Sequence, residues 1–468
     1  MKLRKKTLVH KIYVIGKLIL LISIIFLFIA CEKALEPQYP DFLLSEEAVF
    51  ENASTIDAAM ANIYSGIRDN SPFSGNPNGM SVLFGLYTDE LQHFNAASQT
   101  DNAFYNHTVQ PTNNAITDLW NSSYSLIYSV NSMITGLENS PLPMEEKEAF
   151  LGEAHFLRGY FHFYLGQIFG DIPYIETTDH VTNAAVSRMD LEEINKKVEI
   201  DLLKAVELLP EMDNSGERVR PSKGTAHAML ARLYLQLEDW AKAFTESNLV
   251  IGNGAYIWQS DLNHVFLKES PSTIWQLKTQ MEGYPTSEGQ TFIFDVGPPS
   301  LYALSPEFLA DFELGDLRKE AWTRNISVGA ENWSHPYKYK QNMFAPMSTE
   351  YSILFRLAEQ YLIRAEASIQ LGNLQEAKSD INTIRSRAGL TTTIATTREE
   401  LNKELLHQRR YELFTEQGNR WFYLKRKGLA GEVLSPIKVG WKATDILLPL
   451  PEQELLLNPN LNPQNPGY

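Results

Sequence analysis

The segment from Ile353 to Leu390 constrains the fold of this chain most strongly, because it has the pattern of two helices joined by a tight turn. Gly372 permits the left-handed conformation that ends a helix, and the side chain of Asn373 can cap the helix that follows. The first half carries apolar residues every three or four positions, the spacing of one helix face: Leu354, Ala358, Leu362, Ala365 and Ile369. The segment therefore predicts an antiparallel helical hairpin.

The same pattern occurs a second time, 134 residues earlier in the chain. Residues 231–243 and 365–377 both read A-x-x-x-[LI]-Q-L-x-[DN]-[WL]-x-x-A. Small alanines at the contact positions let two helix axes approach closely, and repeated helical hairpins stack by burying their apolar faces against neighbours. We therefore expect a mostly α-helical fold with tetratricopeptide-like hairpins.

Two long intervals lack this helical periodicity, namely Ser71 to Asn113 and Gly252 to Glu350. Both combine Gly and Pro with many aromatic residues, which is typical of loops. Short strands are expected at residues 272–278 and 291–296. The aromatic rings either pin these loops to the helical body or line a binding site.

The N-terminus has the pattern of a secretory signal peptide over residues 1–30. It contains six Lys or Arg and no acidic residue, and it ends in an apolar run from Leu18 to Ala30 that only Ser23 interrupts. Thirteen residues are too few to span a bilayer core, which takes roughly 20. Residues 31–468 would then form one mature domain.

Cys31, the only cysteine of the chain, directly follows this run. Its position after Ala30 resembles the bacterial lipobox, in which the cysteine is lipidated, although Phe28 stands where Leu is usual. The alternative is a chance cysteine at the end of an ordinary signal. A lipidated Cys31 would leave no thiol for a disulfide or a metal site.

The charge and the motifs exclude several classes of function. The formal net charge is −16, which disfavours nucleic acid as a partner because phosphate contacts require clustered Lys and Arg. His155 and His162 lack the HExxH spacing of zinc hydrolases, and no nucleotide-binding or nucleophile-elbow motif is present. We expect no catalytic residue, no metal and no cofactor.

One group of charged residues near the C-terminus has helical spacing, and it consists of Arg409, Glu412, Glu416 and Arg420. Spacings of three and four predict a ladder of ion pairs on one helix face. A catalytic carboxylate pair is the alternative, but neighbouring arginines would keep both acids ionised and unable to donate a proton.

Five segments, taken in order, resemble the SusD/RagB family of outer-membrane nutrient-binding lipoproteins. The chain departs from the family pattern at Gln408, where Glu is common, and at Tyr423, where Asp is frequent. The segments are Gly152–Tyr174, Ser222–Ala243, Phe355–Ala367 with Ile381–Leu390, Gln408–Arg426, and Leu448–Leu455 with the terminal Gln464–Tyr468.

This resemblance implies a lipid-anchored protein that faces the cell exterior and covers a SusC-like TonB-dependent transporter barrel. It also implies that the protein binds an oligosaccharide, or a peptide as in RagB, without chemistry. Sugar rings stack on aromatic side chains, so we expect the ligand at the two aromatic-rich intervals. The predicted contact residues are Phe94, Asn95, Tyr105, Tyr284, Trp333 and Tyr337. A tetratricopeptide-type adaptor and a surface glycoside hydrolase remain as alternatives.

Overall fold

The computed structural model describes residues 10–18 and 46–468. Residues 10–18 are helical (α1), whereas Cys31 and the remainder of the predicted signal peptide lie outside the described residues. No helix in the described ranges is both long and apolar enough to cross a membrane.

Helices make up 55% of the residues and strands 7%, which confirms the predicted mostly α fold. Most of the long helices begin and end within a few residues of the bounds that apolar periodicity predicts, which include Ser54 to Arg68, Asn114 to Glu138 and Met144 to Phe169. In chain order after α1, the helices are α2 Glu46–Val49, α3 Ala53–Asn70, α4 Met80–Tyr87, α5 Gln99–Asn106, α6 Asn114–Asn139, α7 Met144–Phe169, α8 His180–Asn183, α9 Leu191–Leu208, α10 Lys223–Gln236, α11 Trp240–Gly252, α12 Ser287–Phe292, α13 Pro306–Ala310, α14 Leu317–Trp322, α15 Leu357–Leu371, α16 Leu374–Arg387, α17 Arg398–Leu413, α18 Asn419–Arg426, α19 Ala430–Leu434 and α20 Glu452–Leu457.

The long helices pack in sequence order, α6 on α7, α7 on α9, α9 on α10, α10 on α11, and α11 on α15. Glycines at every seventh position of α7 face α9. A Cβ atom at Gly166 would lie 2.8 Å from Leu191, and one at Gly159 would lie 3.3 Å from Leu202. The absence of side chains there lets the two helices approach closely.

The second predicted hairpin is α15 and α16, and it has its own apolar cluster with α17 around Ala365, Ala377 and Leu405. Gly372 has a φ of +84° and ends α15 as expected. The predicted Asn373 cap is wrong, because its side chain accepts no capping hydrogen bond. The prediction that the helix includes Leu354 is also wrong, because residues 352–356 form a strand.

The strands form three two-stranded antiparallel sheets within the described ranges. Leu91–His93 (β1) pairs with Tyr302–Leu304 (β3), and Thr273–Leu277 (β2) pairs with Ser352–Arg356 (β6). Thr323–Val328 (β4) and Glu331–Pro336 (β5) form a hairpin. Strand β2 confirms the prediction for residues 272–278.

The two aromatic-rich intervals contain more helix than predicted. The first holds α4 and α5, and the second holds α12, α13 and α14. The predicted strand at residues 291–296 is wrong, because its first two residues belong to helix α12. The hydroxyl of Thr286 caps this helix by accepting a hydrogen bond from the backbone N–H of Gly289 at 3.0 Å. Every residue of α4 is buried, so α4 lacks the amphipathic period by which a surface helix is recognised.

Candidate functional site

The two aromatic-rich intervals meet at the β1–β3 pair, where Leu91 lies opposite Leu304 and His93 opposite Tyr302. The pairing continues one residue further, because the backbone N–H of Phe94 donates to the carbonyl of Leu301 at 2.7 Å. Strand β3 in turn packs on β5. We name the surface around Phe94, Asn95, Tyr105, Trp333 and Tyr337 the loop face.

Trp333 lies on β5 opposite Ile326 and is half-buried. Its ring packs over Gly297, where a Cβ atom would lie 2.4 Å from the nearest ring carbon. Gly297 thus allows the backbone to pass directly against the indole. A half-buried ring fixed in this way presents its remaining surface to solvent in a defined orientation.

Tyr337 directly follows β5 and is also half-buried. Its ring lies at a centroid distance of 5.5 Å from His335, with the Lys340 ammonium 4.0 Å and the Arg324 guanidinium 5.5 Å from the ring centroid. These cations hold the ring in place through cation–π contacts. Burial lowers the pKa of Lys340 to about 8.

Phe94 and Asn95 form the turn between β1 and α5, and both are half-buried. The Asn95 side-chain oxygen accepts a hydrogen bond from the backbone N–H of Ala97 at 3.3 Å. Its side-chain nitrogen has no hydrogen-bond partner within residues 10–18 and 46–468, so it can donate to a ligand. Phe94 follows the strand pair directly and is positioned by the backbone.

Tyr105 is held more tightly than the other members of the loop face. Its ring contacts His93 at a centroid distance of 5.3 Å, and the Lys438 ammonium lies 3.9 Å from its centroid. Burial raises the pKa of its hydroxyl. Tyr105 thus serves partly as a packing residue.

Tyr284 lies outside the loop face, in a separate cavity of about 140 Å³ that Arg68, Gln280 and Gln290 also line. None of the other five predicted contact residues lines this cavity in the described part of the chain. The ring of Tyr284 meets the ring of Phe344 edge to face, with a centroid distance of 5.9 Å. Phe344 is 67% exposed and was not predicted from the sequence, because a single phenylalanine in an irregular segment carries no periodic signal.

Other aromatic residues of the second interval belong to the core. Trp275, Trp322 and Tyr339 are buried, and the indole N–H of Trp322 donates to the carbonyl of Leu262 at 3.0 Å. Packing therefore accounts for part of the high aromatic content of this interval. The loop face comprises the rings that the core leaves half-exposed.

The predicted ladder of Arg409, Glu412, Glu416 and Arg420 is wrong, because α17 ends at Leu413 before the ladder is complete. Arg409, Glu412 and Arg420 are buried and Glu416 is half-buried, and each contacts another element instead. Glu412 accepts from Arg356 and Arg387, Glu416 from Arg356 and Lys338, and Arg420 donates to Asp89, while Arg409 is held near Glu366.

These ion pairs decide the ionisation of Glu412. Burial alone would raise the pKa of Glu412, but the guanidinium groups of Arg387, Arg356 and Arg318 hold it well below its usual range. An acid in this state cannot donate a proton. The group therefore has the structural role of ion pairing, and not the role of a catalytic carboxylate pair.

The two histidines considered as metal ligands are structural. His162 is fully buried, donates from Nδ1 to the carbonyl of Arg158 at 2.9 Å and accepts at Nε2 from the backbone N–H of Ile175 at 3.0 Å. His155 lies 2.8 Å from Asp201. Among the described residues, no group of three or more His, Cys, Asp or Glu side chains is arranged to hold a metal ion.

Comparisons with known proteins identify similar chains. A family model described as "Starch-binding associating with outer membrane" matches residues 41–235, and a model described as "SusD family" matches residues 316–468. SusD-like protein P2 of Formosa agariphila is 29% identical, over 92% of this chain and 95% of the relative.

Solved structures are similar over nearly the same length. A SusD superfamily protein from Bacteroides vulgatus superposes with a TM-score of 0.76 at 21% identity, over 90% of this chain and 100% of that one. A protein described as a laminarin-binding SusD-like protein has a TM-score of 0.75 at 23% identity, over 90% and 100% of the two chains.

Proposed function

The chain belongs to the SusD/RagB family, and from that membership we propose that it is a cell-surface lipoprotein that binds an oligosaccharide at the loop face. It delivers this ligand to a TonB-dependent transporter of the outer membrane. Binding proceeds without chemical conversion, and the protein uses no cofactor.

The observation that carries this proposal is the pairing of β1 with β3, which brings Phe94 and Asn95 to the same region as Trp333 and Tyr337. Half-buried rings beside a free side-chain amide suit a sugar, because the C–H face of a pyranose stacks on a ring while its hydroxyls bond polar groups. Trp333 lies on a paired strand, and Phe94 and Tyr337 each directly follow one, so little ordering is required on binding.

An array of oligosaccharides and peptides probed with the mature chain tests the proposal. The laminarin-binding protein with a similar fold makes β-1,3-glucans a rational first group of probes. We expect selective binding to one class of oligosaccharide. An array without any oligosaccharide hit would contradict the proposal.

The variant Trp333→Ala locates the binding on the loop face. Loss of one stacked ring costs roughly 0.5–1.5 kcal/mol, so the affinity should fall about two- to tenfold. Trp240→Ala is the matched control, because Trp240 is also half-buried but lies on α11. Equal affinities of the two variants would place the ligand elsewhere.

Peptide binding, as in RagB, is a second candidate that one observation favours. Met281, Met343, Phe344 and Met347 are all more than half exposed beside Tyr284. Flexible methionine side chains adapt to varied apolar partners, and clustered exposed apolar residues mark interaction sites. Peptide hits on the array that weaken with Phe344→Ala would favour this candidate over the oligosaccharide.

The lipid anchor is proposed from the lipobox-like position of Cys31. Mass spectrometry of the purified protein should show an acylated cysteine as the mature N-terminus, and Cys31→Ala should abolish anchoring. An unmodified N-terminus, with unchanged membrane fractionation of the variant, would contradict this.

The transporter and the absence of chemistry have separate tests. Affinity purification from solubilised membranes should recover a large β-barrel protein, and its repeated absence would favour the adaptor alternative. Incubation with the bound oligosaccharide should release no shorter product, whereas turnover would favour a glycoside hydrolase.

A further inference from the structure

A groove of about 580 Å³ lies on α6, away from the loop face. Three aromatic residues of α6 form its floor, Trp120, Tyr124 and Tyr128, and its walls come from the chain after α7 and from the C-terminal region around α20. In the described part of the chain, it shares no lining residue with the loop face or with the Tyr284 cavity. We name it the α6 groove.

The aromatic residues of the floor form a platform along one face of α6. Residues four apart share one face of a helix, and the rings of Trp120 and Tyr124 lie 4.8 Å apart at their centroids. The hydroxyl of Tyr124 donates to the carbonyl of Pro173 at 2.8 Å, which fixes its ring. Exposure increases along the platform from Trp120, at 3%, to Tyr128, at 52%, so Tyr128 presents its ring at the rim.

The walls are held together by side-chain amides of the C-terminal region. Asn458 donates to the carbonyl of Val186 and Asn460 donates to that of Ala185, both at 2.8 Å. Arg188 extends this connection, because its guanidinium donates to the carbonyl of Pro463 at 2.7 Å. The groove is therefore preformed, and a ligand would bind without ordering a loop.

The groove offers both donors and acceptors, because the exposed side chains of Asn121 and Tyr128 in its lining can donate through their amide and hydroxyl groups. Asn183 donates through Nδ2 to the carbonyl of Thr177 at 2.7 Å, while its Oδ1 is buried and has no hydrogen-bond partner among the described residues. Glu454 is the one charged side chain in the described lining, without a Lys or Arg beside it. Burial raises the pKa of Glu454, as expected for a carboxylate in apolar surroundings.

Unpaired acceptors over an aromatic floor restrict the class of ligand. A buried acceptor without a donor costs free energy, so the ligand should bring donors and few acceptors that cannot be paired. Sugar hydroxyls rotate to donate to either acceptor, and the C–H face of the ring stacks on tyrosine.

We propose that the α6 groove is a second glycan-binding site, in which a pyranose unit stacks on Tyr128 and Tyr124 and donates hydroxyl hydrogens to Asn183 and Glu454. The inference rests on the proposed function for the class of ligand, a glycan. The location of this second site is argued independently, from the lining of the groove. A second site would let one protein hold a long polysaccharide at two points.

Isothermal titration calorimetry gives the number of binding sites per chain, and it tests the inference with four forms of the mature chain. They are the wild type, the loop-face variant Trp333→Ala/Tyr337→Ala, the groove variant Tyr128→Ala/Asn183→Ala, and a surface control, Ile200→Ala, in which an exposed residue of α9 is changed. The probe is the hexasaccharide that binds best on the array, or maltohexaose if the array gives no hit.

We expect two binding sites in the wild type and in Ile200→Ala, and one in each double variant. The groove variant should lose at least about tenfold in affinity at its site, and its melting temperature should stay near that of the control because Tyr128 and Asn183 are not in the core. A fifth form, which combines the loop-face and groove substitutions, should bind no hexasaccharide. Binding that the loop-face variant retains and this combined variant loses is the decisive supporting result.

Three results would overturn the inference. One binding site that disappears in the loop-face variant would exclude the groove while the proposed function stands. An unchanged stoichiometry in the groove variant, together with a changed oligomeric state, would assign the groove to protein contacts. If no hexasaccharide bound the wild type, the proposed function would fail along with the glycan assignment of the groove.

Discussion

At the scale of single residues, Glu412 has an unusually demanding position. It is fully buried, accepts hydrogen bonds from Arg356 and Arg387, and lies 3.4 Å from the guanidinium of Arg318. Three buried guanidinium groups thus meet at one carboxylate, although Arg318 also pairs with Asp316 and Arg356 with Glu416. Removal of one partner from a buried ion pair leaves uncompensated charge, which costs more than the pair contributes.

We therefore predict that Glu412→Gln lowers the free energy of unfolding by about 3–5 kcal/mol. Denaturant unfolding of the purified variant provides the measurement. Glu192→Gln is the control, because Glu192 pairs with Lys196 on the surface and its removal should have almost no effect. Similar losses in the two variants would contradict the role assigned to Glu412.

The buried imidazole of His162 predicts how the stability of the protein depends on pH. Burial lowers the pKa of His162 to about 3, below its unfolded value of about 6.5. The unfolded chain therefore binds the proton more readily, so the stability that neutral His162 contributes is complete above pH 6.5 and is lost as the pH falls towards 3. The imidazole stacks on Tyr174 at 3.8 Å, and Asp201, Arg158 and Lys197 are the charged groups that act on it.

The variant His162→Gln removes this proton site while glutamine can still donate and accept. We expect it to be less stable than the wild type at pH 7, with a gap in melting temperature that narrows between pH 7 and pH 4. Carboxylates that titrate over the same range affect both proteins alike, so the gap isolates His162. A gap that stays constant would show that folding does not lower the pKa of His162.

At the same scale, the sequence could indicate which charged residues matter but not their partners. The spacing of Arg409, Glu412, Glu416 and Arg420 indicated ion pairing. Two of their partners, Asp89 and Arg356, lie more than 50 residues away, and Arg387 lies 25 residues from Glu412. An i,i+4 spacing contains no information about such partners. Positive φ angles at Thr415 and Gln417 accompany the break of the helix between Leu413 and Asn419.

At the scale of elements, the helical hairpins rest on alanines that have no room for a larger side chain. Ala243 of α11 is fully buried, whereas Ala241 of the same helix is exposed. Ala243→Trp should destabilise the protein by about 1–3 kcal/mol or more through overpacking, and Ala241→Trp should have little effect. Thermal unfolding distinguishes the two, and equal melting temperatures would contradict the close packing of α10 and α11.

The elements that the sequence predicted well are those with one apolar face, such as α3 and α6, where periodicity reports burial directly. Helix α4 was missed because it is buried on all sides. The sequence analysis assigned strand β6 to the start of α15, because a short apolar run fits a strand or a helix. Its pairing with β2, which lies about 80 residues earlier, decides for the strand.

At the scale of the whole molecule, the fold joins two segments that lie about 200 residues apart, and the proposed site lies where they meet. The sequence identified the two aromatic-rich intervals, but the β1–β3 pair that joins them is only three residues long and has no distinctive pattern. For the same reason Tyr284 could not be separated from the loop face, and Phe344 could not be assigned to Tyr284.

A crystal structure of the mature chain with its selected oligosaccharide tests the central claim most directly. We predict sugar density on the loop face, with one ring stacked on Trp333 or Tyr337 and a hydroxyl within hydrogen-bond distance of the Asn95 side chain. Sugar bound only at other surfaces, with the loop face empty, would contradict the account.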